Sequence, residues 1–181
     1  MKFTHKKIHI IGSTGSGKTY LAREISKRLL IPFFELDDVV WNGAVELSGK
    51  NSPEVRDKIL EDIINKEQWI IEGVYHKWVG RSFEEADVII FLSPRPMNRA
   101  IRIITRFIKQ RTKLERSKYQ QTLKGLIEML KWNSKFDADN KKKIHEMLEK
   151  HKGKLIVVKS NKEMILRVAY ECDIRLDTRT L

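Results

Sequence analysis

The run Gly12-Ser13-Thr14-Gly15-Ser16-Gly17-Lys18-Thr19 has the residue types and the spacing to hold a chain of phosphates. Glycines at 12, 15 and 17 let backbone N–H groups turn inward around a phosphate. Lys18 carries a charge to the outer phosphates, and the Thr19 hydroxyl can ligate Mg2+. The expected ligand is ATP with Mg2+, contacted by Gly12, Gly15, Ser16, Gly17, Lys18, Thr19 and Tyr20. A dinucleotide fingerprint runs G-x-G-x-x-G, whereas this loop runs G-x-x-G-x-G and adds Lys-Thr, which disfavours a nicotinamide or flavin ligand.

Three further groups could serve phosphoryl transfer. Asp37 and Asp38 end the second predicted strand; either could orient an acceptor hydroxyl or a metal-bound water, or simply belong to a turn or a helix cap. Glu72 ends another apolar run and could hold Mg2+ through water, or be a solvated loop carboxylate. Arg99, Arg102 and Arg106 fall on one helical face and could close on the transferring group, which needs cations against its equatorial oxygens and little covalent chemistry. A helix with one solvated basic face would read the same way. Tyr75, His76, Lys77, Trp78 and Arg81 are candidates to line an acceptor pocket, although for Trp41 and Trp78 packing against loops is as good a reading. The five histidines show no metal-ligand spacing, so no metal beyond Mg2+ is expected.

Positioning these groups takes strands alternating with helices. A β-branched run at 8–11 ends at Gly12, and Leu21, Ile25 and Leu29 mark the helix after the loop. A second strand is predicted over 31–36, with Pro32 where it costs no ladder bond. Ser52-Pro53-Glu54 starts a helix, continued by Val55, Ile59 and Ile63. Strands are predicted over 68–71 and 87–92, the latter without polar alternation and therefore buried on both faces. Met97, Ile101, Ile104 and Ile108 form the apolar stripe of the next helix, with the arginines on another face. Helices at Leu123, Ile127 and Leu130 and at Ile144, Met147 and Leu148 precede a fifth strand at 155–158, and Asn161 is expected to cap the last helix, with Ile165, Val168 and Ala169 inward. The alternation predicts an α/β fold, a parallel sheet covered on both faces.

With 181 residues the chain is expected to form a single domain over 1–181. Cys172 stands alone, no apolar run approaches the ~20 residues of a membrane span, and the N-terminus lacks a signal-peptide pattern, so a cytoplasmic protein without a membrane partner is expected. The net charge of +12 is concentrated: 95–118 holds nine cations against Glu115 alone. Such a segment suits phosphorylated small molecules or a nucleic-acid backbone.

The loop, Leu36-Asp37-Asp38 and Trp69-Ile70-Ile71-Glu72-Gly73-Val74-Tyr75 together resemble the small P-loop kinases of the adenylate, shikimate and gluconate kinase group. Within it the closest resemblance is to bacterial DNA topology modulation proteins. The resemblance is motif-specific over 8–92 and rests on element order from 97 to 165. It implies a three-layer P-loop NTPase fold with a five-stranded parallel sheet in the order 2-3-1-4-5, and a helical lid inserted at about 110–136. It also implies an adenine-contacting loop near Ser160 and Asn161. Carried over, the lid arginines fall on Arg102 and Arg106 and the strand-three acid on Glu72; Lys18, Asp37, Asp38, Arg102 and Arg106 form the catalytic set. Adenylate kinases have Asp-Gly-Phe-Pro-Arg where this chain has Glu72-Gly73-Val74-Tyr75-His76, so the arginine that grips a nucleoside monophosphate is missing there. The expected activity is an ATP- and Mg2+-dependent kinase of a small molecule, a nucleoside or nucleotide among the candidates. The competing expectation is an ATP-binding regulator or nucleic-acid-binding protein that affects DNA topology.

Overall fold

The computed structural model describes residues 5–41, 49–114, 122–137 and 141–177, the last seven by backbone alone. Met1 to Thr4, part of the segment expected as a lid (115–121), Glu115, Arg116 and Lys118 of the basic run, and the Cys172 side chain lie outside the described residues.

In chain order the elements are β1 (Lys7–Gly12), α1 (Lys18–Leu29), β2 (Phe33–Glu35), α2 (Leu36–Val40), α3 (Pro53–Ile64), β3 (Trp69–Gly73) and α4 (Gly80–Glu85). They continue with β4 (Val88–Leu92), α5 (Pro96–Arg111), α6 (Leu123–Lys135), α7 (Lys141–Glu149), β5 (Leu155–Val158) and α8 (Asn161–Asp177). All strand pairs are parallel and the order is β2-β3-β1-β4-β5. This is the predicted sheet. Every residue of β3 and β4 is buried, as expected of strands covered on both faces.

The apolar residues of β1 divide by parity. Ile8 and Ile10 pack with Leu21, Ala22 and Ile25 of α1 and with Met164 and Val168 of α8. Ile11 packs on the other side with Leu36, Leu60, Ile63, Phe83, Ile144 and Leu148, from α2, α3, α4 and α7. A period-two strand between two helical layers gives three layers and two apolar clusters. His9 shares the second face. Ser82 Oγ lies 2.9 Å from its Nδ1, Phe83 packs on its ring, and its Nε2 is buried without a partner.

Several local expectations are corrected. β2 is shorter than 31–36: Leu36, Asp37 and Asp38 already belong to α2, where two carboxylates in the first turn suit the positive helix end. The six-residue α4 was not foreseen, since its Gly-Arg-Ser-Phe-Glu-Glu is too short to show a helical period. Asn161 does not cap α8; Ser160 Oγ accepts from the Glu163 N–H, which releases the Asn161 side chain for another contact. In α3, Ser52 Oγ does accept from the Val55 N–H with Pro53 at the first helical position, but Val55 itself is exposed.

The largest correction concerns α5. Its buried residues are Arg99, Ile103 and Phe107, while Met97, Ile101, Ile104 and Ile108 point to solvent. The helix is amphipathic with the expected period and the opposite orientation. Among the described residues no helix is long and apolar enough to cross a membrane.

Candidate functional site

The loop between β1 and α1 is shaped by two left-handed glycines, Gly15 (φ 74°) and Gly17 (φ 97°). Such a φ is strained for any other L-residue. Space forbids a side chain as well. A Cβ on Gly15 would lie 2.7 Å from the Arg99 carbonyl oxygen, and one on Gly17 would lie 2.5 Å from Asn161 Nδ2. Gly12 closes the β1 end, where a Cβ would meet the Leu92 carbonyl oxygen at 2.5 Å. Gly17 precedes α1 without a side-chain cap, so the first-turn N–H groups are left to a ligand, and Ser16 Oγ is buried with no partner. Uncapped donors at a positive helix end fit an anion of phosphate size.

Lys18 is buried and donates from Nζ to the Ser13 carbonyl at 3.0 Å. Burial pushes its pKa down; Glu72, Asp37 and Glu35 pull it up, and Arg106 adds to the depression. Glu72 shows the converse. Burial pushes its carboxyl upward, Lys18 and the Thr19 hydrogen bond oppose that, and Glu35 and Asp37 add to it. Thr19 Oγ1 donates to Glu72 Oε1 at 2.6 Å. The sheet order explains the meeting, since β3 lies beside β1 with Ile10 opposite Glu72. A hydroxyl and a carboxylate in contact at the root of the phosphate loop could hold Mg2+, which binds through few protein groups plus phosphates and water. Among the described residues no group of three or more His, Cys, Asp or Glu could hold a metal ion by itself.

Asp37 and Asp38 are exposed on α2. Tyr75 Oη donates to Asp37 Oδ1 at 3.0 Å, and the Asp37 charge is felt at both Lys18 and Glu72. Tyr75 and Trp78 pack with ring centroids 5.4 Å apart, and the Arg56 guanidinium stands over the Trp78 ring at 4.4 Å. Lys77 is exposed, and Arg81 is paired with Glu61. His76 is half-buried; burial leads the lowering of its pKa, partly opposed by its hydrogen bond to the Val74 backbone. Sequence reading missed Glu35, which pairs in register with Glu72, and Arg56. Adjacency to Leu36-Asp37-Asp38 could have signalled Glu35; nothing local marks Arg56, which reaches Trp78 across 22 residues of sequence.

The three α5 arginines have separate tasks. Arg102 Nη1 donates to the Ser16 carbonyl at 2.6 Å, directly on the loop. Arg106 is exposed, lies 3.6 Å from Met129 Sδ through Nη2, and its charge reaches Lys18. Arg99, read as a candidate with them, is fully buried and committed elsewhere. It donates to Asn133 Oδ1 at 2.6 Å and to the Pro94 carbonyl at 3.0 Å, pairs with Asp137, and lies over the Phe136 ring. That side chain joins α5 to α6 and cannot also reach a nucleotide. Asn161 Nδ2 donates to the Gly17 carbonyl at 3.2 Å, and its Oδ1 is buried without a partner. Tyr20 is exposed on the first turn of α1. Lys18, Thr19, Glu72, Asp37, Arg102, Arg106 and Asn161 therefore converge on the loop at the carboxyl ends of β1, β2 and β3, and Asp38 sits on the same turn as Asp37.

Comparison with known proteins gives the fold. A gluconokinase from Sinorhizobium meliloti 1021 superposes with a TM-score of 0.52 at 16% identity, covering 97% of this chain and 95% of that one. A shikimate kinase from Acinetobacter baumannii, solved in complex with shikimate, gives 0.50 at 11% identity over 92% of each chain. In sequence, the uncharacterized protein YqaC of Bacillus subtilis (strain 168) is 26% identical over 132 residues, which is 73% of this chain and 66% of that protein. The ATP-dependent protease ATPase subunit HslU of Helicobacter pylori (strain Shi470) is 31% identical over 36% of this chain and 19% of that protein. The chain thus spans less than two thirds of either sequence relative. No family model matches.

Proposed function

We propose that the protein is an ATP- and Mg2+-dependent phosphotransferase that acts on a hydroxyl of a small molecule. The observation that carries this is the position of Asp37: exposed on α2, hydrogen-bonded to Tyr75, and close enough to the loop for its charge to act on Lys18 and Glu72. A base at the mouth of a phosphate cradle can orient a hydroxyl and take its proton; an ATP-binding regulator has no use for one. In this assignment the loop N–H groups, Ser16 and Lys18 hold the phosphates, Thr19 and Glu72 serve Mg2+, and Arg102 and Arg106 offset charge on the transferring group. Asn161, with Tyr20, lies toward the nucleoside. ATP supplies the phosphoryl group when bound, and Asp38 is the alternative base.

The outward stripe of α5 speaks against the competing view that its cations track a nucleic-acid backbone. Arg99 and Arg102 are bonded inward and the exposed centre of the helix is aliphatic. The same motifs support kinship with DNA topology modulation proteins, a label that names a cellular effect. We read the chain as one domain over 1–181 with a lid at about 110–136, acting in the cytoplasm.

The test is kinetic. A thermal-shift screen of nucleosides and polyhydroxylated metabolites, each with an ATP analogue and Mg2+, identifies the acceptor. Asp37→Asn is then expected to bind ATP as the parent does and to turn over ~10²–10⁴-fold more slowly. If Asp37→Asn and Asp38→Asn both keep near-parental turnover while Lys77→Ala raises the acceptor KM sharply, the acceptor is a phosphate and the hydroxyl assignment falls.

A further inference from the structure

Gly17 is the residue at which the phosphate loop turns into α1, and its own chemistry does not hold it there. Its φ of 97° and ψ of 21° lie in the left-handed region, which glycine enters and leaves at little cost. The φ and ψ of a residue are set by the two peptide planes that flank it, so a glycine stays where those planes are held. Here both are pinned from outside the loop. The plane before Gly17 carries the Ser16 carbonyl, which accepts from Arg102 Nη1 of α5 at 2.6 Å. The plane after it carries the Gly17 carbonyl, which accepts from Asn161 Nδ2 of α8 at 3.2 Å across 144 residues of sequence. The two side chains meet over the glycine: a Cβ there would lie 2.5 Å from Asn161 Nδ2 and 3.3 Å from Arg102 Nη1.

The bond from Asn161 is surplus to the helices at both its ends. α8 is capped without it, with Ser160 Oγ accepting from the Glu163 N–H and Glu163 Oε2 accepting from the Lys159 N–H. The Gly17 carbonyl already accepts the Leu21 N–H at 3.0 Å, the first bond of α1. A second donor to a carbonyl so satisfied adds direction. In a trans peptide the carbonyl and the next N–H point opposite ways, so drawing the Gly17 carbonyl toward Asn161 turns the Lys18 N–H to the other side, out of the start of α1, where an anion belongs. We propose that Asn161 is a positioning residue of the phosphate cradle: acting through the Gly17 carbonyl, it aims the Lys18 N–H at the phosphates, as Arg102 aims the Gly17 N–H through the Ser16 carbonyl. The inference rests on the assignment of the loop to the phosphates of ATP. It gives Asn161 a task on any polyphosphate, with or without a base.

Inorganic tripolyphosphate isolates that task, since it has the phosphates of ATP and no nucleoside. Its affinity and that of ATP are measured by calorimetry with Mg2+ on the full chain, counting the binding that Lys18→Ala removes. The variants are Asn161→Ala and Asn161→Leu; leucine keeps the branched skeleton of the side chain and deletes the donor. Both are expected to weaken tripolyphosphate at least about threefold and ATP by no less, the scale of one lost orienting hydrogen bond. The ligand-free thermal midpoint should stay close to the parental one, because the Gly17 carbonyl keeps Leu21 and α8 keeps its cap. Weaker ATP binding with unchanged tripolyphosphate binding would give Asn161 to the nucleoside alone and overturn the proposal. Unchanged binding of both would overturn it as well. So would a fall in midpoint that leaves both variants unfolded at the assay temperature, since the bond would then serve the fold. Each of these results leaves the loop assignment standing, whereas a parent chain that binds neither ATP nor tripolyphosphate would overturn that assignment and the proposal with it.

Discussion

The phosphate loop and α5 touch each other, yet their groups reach the site in opposite ways. In the loop the groups proposed to hold the phosphates are mostly main-chain N–H, positioned by glycines over a few consecutive residues. On α5 they are the ends of long side chains, and the three arginines, spaced to share a face, go to three different partners: Asn133 with Asp137, the Ser16 carbonyl, and Met129. A backbone cradle is specified by local conformation and tolerates little change in it. A side-chain cluster is specified by what packs around it, so equal spacing in sequence does not mean equal function.

Arg99 tests that contrast most strongly. Removing a fully buried, ion-paired guanidinium leaves Asp137 and Asn133 without their partner, so Arg99→Ala is expected to destabilise the fold by about 3–5 kcal/mol in denaturant titration. Its ATP affinity, measured where the variant is still folded, should stay within a few fold of the parent. An intact fold with lost ATP binding would move Arg99 into the nucleotide site and erase the distinction.

Lys18→Ala reverses the pattern. In the nucleotide-free protein its only described hydrogen-bond partner is the Ser13 carbonyl, and burial already disfavours its charge, so the fold has little to lose. ATP affinity by calorimetry is expected to fall ~10²–10³-fold with the unfolding midpoint nearly unchanged.

Thr19→Ala should act more narrowly still. The loop N–H groups remain and only the hydroxyl bonded to Glu72 is lost. The increase in nucleotide affinity on adding Mg2+ should shrink about tenfold, while metal-free affinity changes less. An undiminished magnesium effect would remove Thr19 and Glu72 from the metal role.

The last effect, spread over the pH scale, belongs to the core beneath the site. Burial pushes His9 from 6.5 down to about 3. Between those values the unfolded chain carries a proton that the folded chain refuses, so stability is full above pH 6.5 and declines as pH falls, by at most ~1.4 kcal/mol per pH unit. His9→Gln is expected to flatten this part of the pH–stability curve. An unchanged slope between pH 6.5 and 5 would show that other groups govern acid unfolding.

The sequence by itself determined the phosphate loop, the alternation of strands and helices, and the strand end that carries Glu72; the Asp37-Asp38 pair, expected at the end of β2, sits in the first turn of α2 instead. Those features depend on interactions within a few residues: glycine φ values, period-two and helical patterns, and turn chemistry. It also gave α5 its two faces, because amphipathic period is local. Which face turns inward was decided by tertiary structure alone. Arg99 finds Asn133 and Asp137 on a segment more than thirty residues away, Arg102 finds a loop carbonyl, and Ile103 fills the space beside Gly15. The meeting of Thr19 with Glu72, of Asp37 with Tyr75 and of Asn161 with Gly17 likewise waited on the 2-3-1-4-5 order and on the cap at Ser160. Hydrophobic period records that a helix has an apolar side. Where that side goes follows from the hydrogen bonds and charges that the rest of the fold brings to the other one, because a buried cation is retained only where its partners are waiting.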